Sequence, residues 1–218
     1  MAKQSWSPGA VMAPIPPALV SCGSLECPGL LTVGWTGIVN TRPPKTYISV
    51  RPERYSYPML QASREFVINL PSASLVRAVD FCGVRSGREI DKLAATGLHL
   101  EPATVVSAPM VAECPISIEC RVTDVLPLGS HDMFLADIIR VNVDERCLDP
   151  KGALDMARCD LLAYAHGSYF ALGQKLGTFG YSVRKKPAPG RKPPHTLAGR
   201  GPAPAGHRTG RGKPGKKR

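Results

Sequence analysis

Two alternating runs, Ile116–Leu126 (ISIECRVTDVL) and Met133–Val143 (MFLADIIRVNV), flank the turn-forming pair Gly129-Ser130. A period of two marks a strand with one face in a core, and a glycine turn between two such runs predicts a hairpin. Ile116, Ile118, Cys120 and Val122 fall on one face of the first run; Ser117, Glu119, Arg121 and Thr123 fall on the other. Upstream, Leu30–Asn40 (LLTVGWTGIVN) reads as an apolar strand that Arg42-Pro43-Pro44 ends with a forced turn. Thr46–Arg51 alternates, with Tyr47 and Ser49 opposite Ile48 and Val50, and Glu65–Leu70 is a further short strand. Helical signals are few. Ser72–Phe81 starts on a capping serine, and Ser86-Gly87-Arg88-Glu89 fits a capping box opening a helix over Arg88–Ala95, with Gly97 placed to stop it. Strands without a βαβ rhythm or internal repeat predict a mainly β chain, an antiparallel barrel or sandwich with short peripheral helices.

Charge divides the chain. The formal net charge is +11, yet residues 184–218 hold 12 Lys/Arg with no Asp or Glu, leaving 16 basic against 17 acidic residues over 1–183. The last 35 residues also contain 7 Pro and 7 Gly. Such a stretch cannot bury enough apolar surface to offset its ordering entropy. The expected organisation is one domain over 1–183 and a disordered basic tail over 184–218. That tail is either a solubilising arm or a loose electrostatic contact for nucleic acid or an anionic membrane. The basic excess says little about what the domain does.

The seven cysteines are scattered and never spaced C-x-x-C, which argues for buried reduced thiols rather than a disulfide framework or a zinc site. The N-terminus carries prolines where a signal peptide needs an apolar helix, and no apolar run reaches membrane-spanning length. A cytoplasmic protein without a membrane span is expected.

Familiar catalytic motifs are missing: there is no G-x-S-x-G, H-E-x-x-H or Walker loop, and no G-x-G-x-x-G opening a helix. Two of the five histidines, His195 and His207, lie in the tail, so a three-histidine metal site would consume every other one; no metal is expected. What remains suits a planar anionic ligand. Ser86 would open a helix whose free N–H groups favour an anion, with Arg88 and Lys92 on one face. A solvated helix face, balanced by Glu89 and Asp91, accounts for the same residues. Arg51 and Arg54 with Ser49 and Ser56 form a second basic cluster around a proline turn. Trp35 offers a flat face from within its strand, or a core side chain. His131, in the hairpin Gly129-Ser130-His131-Asp132, is an anion donor or a turn filler.

Taken in order, TVGWTGIVNTRPPKTYISVRPERYSY, EFVINLPS, DFCGVRSGREIDKL, APMVAECPISIEC, LGSHDMFLADI and AYAHGSYFALGQKLGTFGYSVRK resemble the flavin reductase-like family, its flavoredoxin-type branch above all. The likeness runs from about Ile15 to Lys185. It implies an FMN-binding split β-barrel, an antiparallel Greek-key barrel, acting as a homodimer with non-covalent FMN near the interface. On that likeness Trp35, Thr36 and Gly37 line the isoalloxazine ring. Ser49, Val50, Arg51 and Ser56 hold the ring edge, ribityl chain or phosphate. Ser86, Gly87 and Lys92 complete the phosphate end, His131 closes the site and tunes the flavin as a cation, and Tyr164 stands beside the flavin. Where the family commonly has Asn after Pro28, this chain has Gly29, which implies a lost hydrogen bond to the cofactor. The implied activity is oxidoreduction, passing electrons from NAD(P)H through FMN to an acceptor. An FMN electron carrier reduced by a partner protein is the alternative, and a non-enzymatic platform with a nucleic-acid-binding tail is a third reading.

Overall fold

Along the chain lie β1 (Ala18–Gly23), β2 (Pro28–Val33), β3 (Thr36–Thr41), β4 (Pro44–Val50), α1 (Tyr57–Ser63), β5 (Glu65–Leu70), α2 (Val76–Val84), α3 (Lys92–Thr96), the two-residue β6 (Leu100–Glu101) and β7 (Met110–Val111), β8 (Ile116–Pro127), β9 (Asp132–Val143), β10 (Leu162–Ala165) and β11 (Ser168–Ala171). This computed structural model describes residues 1–184, so the predicted basic tail lies, beyond Arg184, outside the described residues. One unit spans Met1–Lys175; a second begins at Leu176 and contains a short 3-10 turn, Tyr181–Val183.

The predicted hairpin is the tallest wall of the fold. β8 and β9 pair antiparallel from Ile116↔Val143 to Pro127↔Asp132, with register shifts at Glu119/Cys120 and Val122/Asp124 that bend the pair. Seven strands follow the order β2-β1-β5-β8-β9-β4-β3, every neighbouring pair antiparallel. The sheet curls until β2 touches β4, giving a barrel that is split between those two strands. Inside pack Val20, Leu31, Ile48, Val50, Phe66, Ile68, Cys120, Val122 and Phe134, and Tyr57 and Leu60 of α1 close one end. A second apolar layer lies outside the barrel, where Leu19 and Leu30 meet Val79 and Cys82 of α2 and Leu98, Val111 and Leu162.

Polar groups staple this second layer. The buried Asn69 amide donates to Leu19 O and Ser21 Oγ, both at 3.0 Å, and its Oδ1 accepts from Val111 N at 3.0 Å and Ser117 Oγ at 2.7 Å. Glu119, fully buried, accepts from the backbone N–H groups of Thr104, Val105 and Val106 and from Asn142 Nδ2. Burial pushes its carboxyl pKa up, but these hydrogen bonds outweigh that and hold it below the ordinary value.

Several local expectations change. Leu30–Asn40 is not one strand: it breaks at Gly34-Trp35 into β2 and β3, and Trp35 sits at the bend, 39% exposed, rather than inside a strand. The helix expected over Ser72–Phe81 begins as a 3-10 turn, Ala73–Leu75, and becomes α-helical only at Val76. The helix expected over Arg88–Ala95 is shorter: residues 86–90 form turns, and α3 starts at Lys92, capped by Asp91, whose side chain accepts from Leu93 N and Ala94 N. Asp91 outcompetes Ser86 because its carboxylate takes two of the free N–H groups at once. Gly97 ends α3 in the left-handed conformation, φ 70°, as expected.

Candidate functional site

The split in the barrel is a cleft of about 110 Å3, lined by Leu31 to Trp35 from one lip, Ser49, Val50 and Arg51 from the other, and by Arg54 and His131. The lips are tied by a hydrogen bond from Ser49 N to Trp35 O at 2.9 Å. Leu31, Arg51 and Arg54 continue into a larger cleft of about 340 Å3, which adds Glu53, Tyr55, Ser56, Arg85, Ser86, Gly87 and Lys92. Four cationic side chains and a single carboxylate thus surround one cavity. The carboxylate, Glu53, meets Arg51 at 3.3 Å in an exposed pair that neutralises little.

Lys92 is the most constrained of these cations. It is 8% exposed, and its Nζ donates to Leu30 O and Cys82 O, each at 2.8 Å. It is neither a member of a solvated face nor paired on one helix with Arg88, which is exposed in the preceding turn. An ammonium has three protons, so one remains for the cleft. Burial lowers the Lys92 pKa, Cys82 opposes this, and Arg54 adds to it; an anion in the cleft relieves that strain. Arg54 donates from Nη1 to Gly83 O at 2.8 Å, which fixes its guanidinium between β4 and the end of α2.

Two glycines shape the cleft by close approach. A Cβ on Gly87 would lie 2.7 Å from Tyr55 Cδ1, so only glycine lets the 86–90 turn close over that ring. At Gly29 a Cβ would meet Cys22 Sγ at 2.7 Å, Met59 Sδ at 2.8 Å and Ser56 Oγ at 3.0 Å. Two sulfur atoms and a hydroxyl fill the space around Gly29, so an asparagine there requires these side chains to shift.

His131 is brought to the split as expected, with Nδ1 2.9 Å from Ser130 Oγ. Burial and then Arg51 lower its pKa, Glu53 partly opposes them, and Arg54 lowers it further. Arg51 and Arg54 line the same split. Below it, the Tyr57 hydroxyl donates to Asp132 Oδ2 and accepts from Gln61 Nε2 at 3.0 Å, tying α1 to the hairpin that carries His131.

Trp35, Ser49, Val50, Arg51 and His131 therefore meet at the split, and Ser56, Ser86, Gly87 and Lys92 meet at the basic cleft, joined through Arg51. Thr36 and Gly37 lie outside both: Thr36 Oγ1 donates to Tyr47 O at 2.6 Å and Thr46 Oγ1 donates to Gly37 O at 2.8 Å, fastening β3 to β4. Tyr164 lines a neighbouring cleft that shares Trp35 and Arg54 with the split. Ser86 opens no helix, so it offers a hydroxyl and a turn backbone rather than a helix N-terminus. Sequence reasoning missed Tyr55 and Arg85, and placed Arg54 in the basic cluster without assigning it a contact to the cofactor. The turn that carries Arg54 back toward Arg51, with Arg54 N donating to Arg51 O at 3.1 Å, was the available signal. Among the described residues no three His, Cys, Asp or Glu side chains gather to hold a metal, and no helix is long and apolar enough to cross a membrane. All seven cysteines are free thiols, six of them buried.

This architecture is that of the split-barrel flavin-binding folds. The flavin reductase like domain model matches residues 12–173, and the chain belongs to the flavin reductase-like family, on its flavoredoxin branch. The flavoredoxin of Desulfovibrio vulgaris (Miyazaki F) is 31% identical with a TM-score of 0.78, covering 84% of this chain and 100% of that one. The flavoredoxin from Methanosarcina acetivorans is 27% identical with a TM-score of 0.74, again covering 84% and 100%. Among curated relatives, an uncharacterized protein of Aeropyrum pernix is 30% identical over 128 residues, 58% of this chain and 49% of that protein, so the chain spans about half its length.

Proposed function

We propose that the protein is an FMN-dependent oxidoreductase of the flavin reductase type, carrying electrons from NAD(P)H to an acceptor. One observation carries this reading: a cavity with four cations joins, through Arg51 and Arg54, a narrow split walled by Trp35. A phosphate and a flat ring on one ligand fit that pair. Arg51, Arg54, Arg85 and Lys92 would hold the phosphate, with Ser56 and Ser86 as neutral donors. Ser49, Val50 and Trp35 would seat the ring, and His131 would donate to its polar edge. Hydride acceptance and onward electron transfer are the chemistry FMN supplies when bound. The protein's part is to bind, orient and shield.

A second reading keeps FMN and replaces the nicotinamide by a redox partner protein. The full-length likeness to flavoredoxins supports it. In either reading the active unit is a homodimer; Ile38 and Val39, exposed on the edge strand β3, are apolar surface suited to a second copy. Anaerobic addition of NADH or NADPH to the FMN-loaded protein separates the two. Bleaching at 450 nm (about the flavin maximum) supports the reductase. Persistent colour with both nucleotides leaves the carrier.

A further inference from the structure

The match to the flavin reductase like domain ends at residue 173, so Leu176–Arg218 lies beyond it and beyond every residue of the flavin site. The described part of this unit is a built turn. Tyr181 N donates to Thr178 O at 2.9 Å and Val183 N to Gly180 O at 3.3 Å, with Gly180 in the left-handed conformation at φ 76°. The Tyr181 ring lies against Gly177, where a Cβ would stand 2.6 Å from its Cδ1. Even so, Tyr181 keeps most of its surface in water, and Leu176, Phe179 and Val183 are almost wholly exposed. Four large apolar side chains, two of them aromatic, thus face solvent directly before Arg184, where the basic run begins. A solubilising arm has no use for a fully exposed phenylalanine.

By sequence, residues 184–218 carry 12 Lys/Arg and no acid, with successive cations never more than eight positions apart. Residues 1–183 hold 16 basic against 17 acidic residues, so they offer these cations no acidic excess to settle on. The partner is therefore a separate polyanion. A membrane surface is read by a helix with a repeating apolar face. A run with 7 Pro, 7 Gly and Leu197 as its one large apolar residue cannot supply that face. Exposed aromatic rings beside a row of cations match a strand that offers phosphates and unpaired base faces together.

We propose that Leu176–Arg218 is a binding arm for single-stranded nucleic acid, in which Phe179 and Tyr181 stack on bases and the Lys and Arg side chains that follow pair with phosphates. A duplex offers the phosphates but keeps its base faces stacked, so it engages the cations alone. The arm does not depend on the flavin reading, and either stands without the other.

Binding is read from the fluorescence anisotropy of a labelled oligouridylate of about 30 nucleotides, beside a duplex of the same length, over about 50 to 200 mM salt. The full chain is expected to bind the single strand saturably, with log K falling linearly as log salt rises. The full-length variant R208Q, R211Q, K213Q, K216Q, K217Q and R218Q removes half of the 12 cations and should about halve that slope. Phe179→Ala combined with Tyr181→Ala should weaken the single strand about fivefold or more, with the slope and the duplex affinity unchanged. No saturable change with the oligouridylate, an unchanged slope in the glutamine variant, or an unchanged single-strand affinity in the aromatic variant overturns the proposal. Equal losses for single strand and duplex overturn it too. So does retention on phosphatidylserine vesicles that the aromatic variant loses while its oligouridylate affinity holds, which makes the arm a membrane contact. A changed oligomeric state in that variant, with affinity intact, assigns Phe179 and Tyr181 to a second copy and overturns it as well.

Discussion

Along β4 and β9 every second side chain enters the barrel, and Ile48, Val50, Phe134 and Ala136 are packed there with almost no exposure. The cleft residues follow no such period; Arg51, Arg54 and Ser56 come from the turn into α1, Arg85 from the end of α2 and Lys92 from the first position of α3, yet they face one cavity. The wall is held by burial of apolar area, which is proportional and forgiving. The cleft is held by individual hydrogen bonds, and each one lost leaves a polar group without its partner. A substitution in the wall should therefore cost stability with no chemical selectivity, whereas one in the cleft should change what binds.

Phe134→Ala is expected to have the largest effect, about 3–5 kcal/mol of unfolding free energy, because it empties the middle of the barrel. Denaturant unfolding checks it, and a loss below about 1 kcal/mol breaks the comparison on the wall side. Lys92→Met should cost about 1–3 kcal/mol, since the carbonyls of Leu30 and Cys82 lose their donor. The same variant should weaken FMN binding by about 1–3 kcal/mol if Lys92 reaches the phosphate. Stability lost with affinity intact would return Lys92 to a purely structural role. Gly29→Asn forces a side chain against Cys22, Met59 and Ser56 and should cost about 1–3 kcal/mol, read as a lowered Tm, without improving FMN affinity.

Glu119 gives a pH test of the wall. Its folded pKa is depressed relative to the unfolded chain, so its contribution is complete above the unfolded carboxylate value, about 4.3, and is lost as pH falls through the folded value. The acid limb of Tm against pH should flatten in Glu119→Gln; an unchanged limb assigns acid sensitivity elsewhere. The smallest effect belongs to Arg88→Ala, within about 0.5 kcal/mol in stability, because the side chain is exposed in a turn.

The same contrast explains what was legible beforehand. β4 and the β8–β9 hairpin follow from alternation because one face of each is apolar over most of its length, and β5 was legible as a further short strand. β1 was not legible: Val20 and Cys22 face the barrel while Leu19 packs under α2, so both faces are buried and no period survives. The bend at Trp35 was hidden inside a continuous apolar run that has strand character on both sides. At the site, the residue types came through, and most of them do converge. Their local setting did not, because Asp91 rather than Ser86 caps α3 and because the partners of Lys92 lie 62 and 10 residues away along the chain. No local pattern encodes such contacts.

Central to the account is a cluster of cations that reads a phosphate beside a seat for a flavin ring. The most direct measurement is a pair of titrations of the purified protein, with FMN and with riboflavin, followed by quenching of flavin fluorescence. The account predicts saturable binding of FMN, one per chain, at least about tenfold tighter than riboflavin, with the difference removed by high salt. Equal affinity for the two flavins, or uptake of neither, would contradict it.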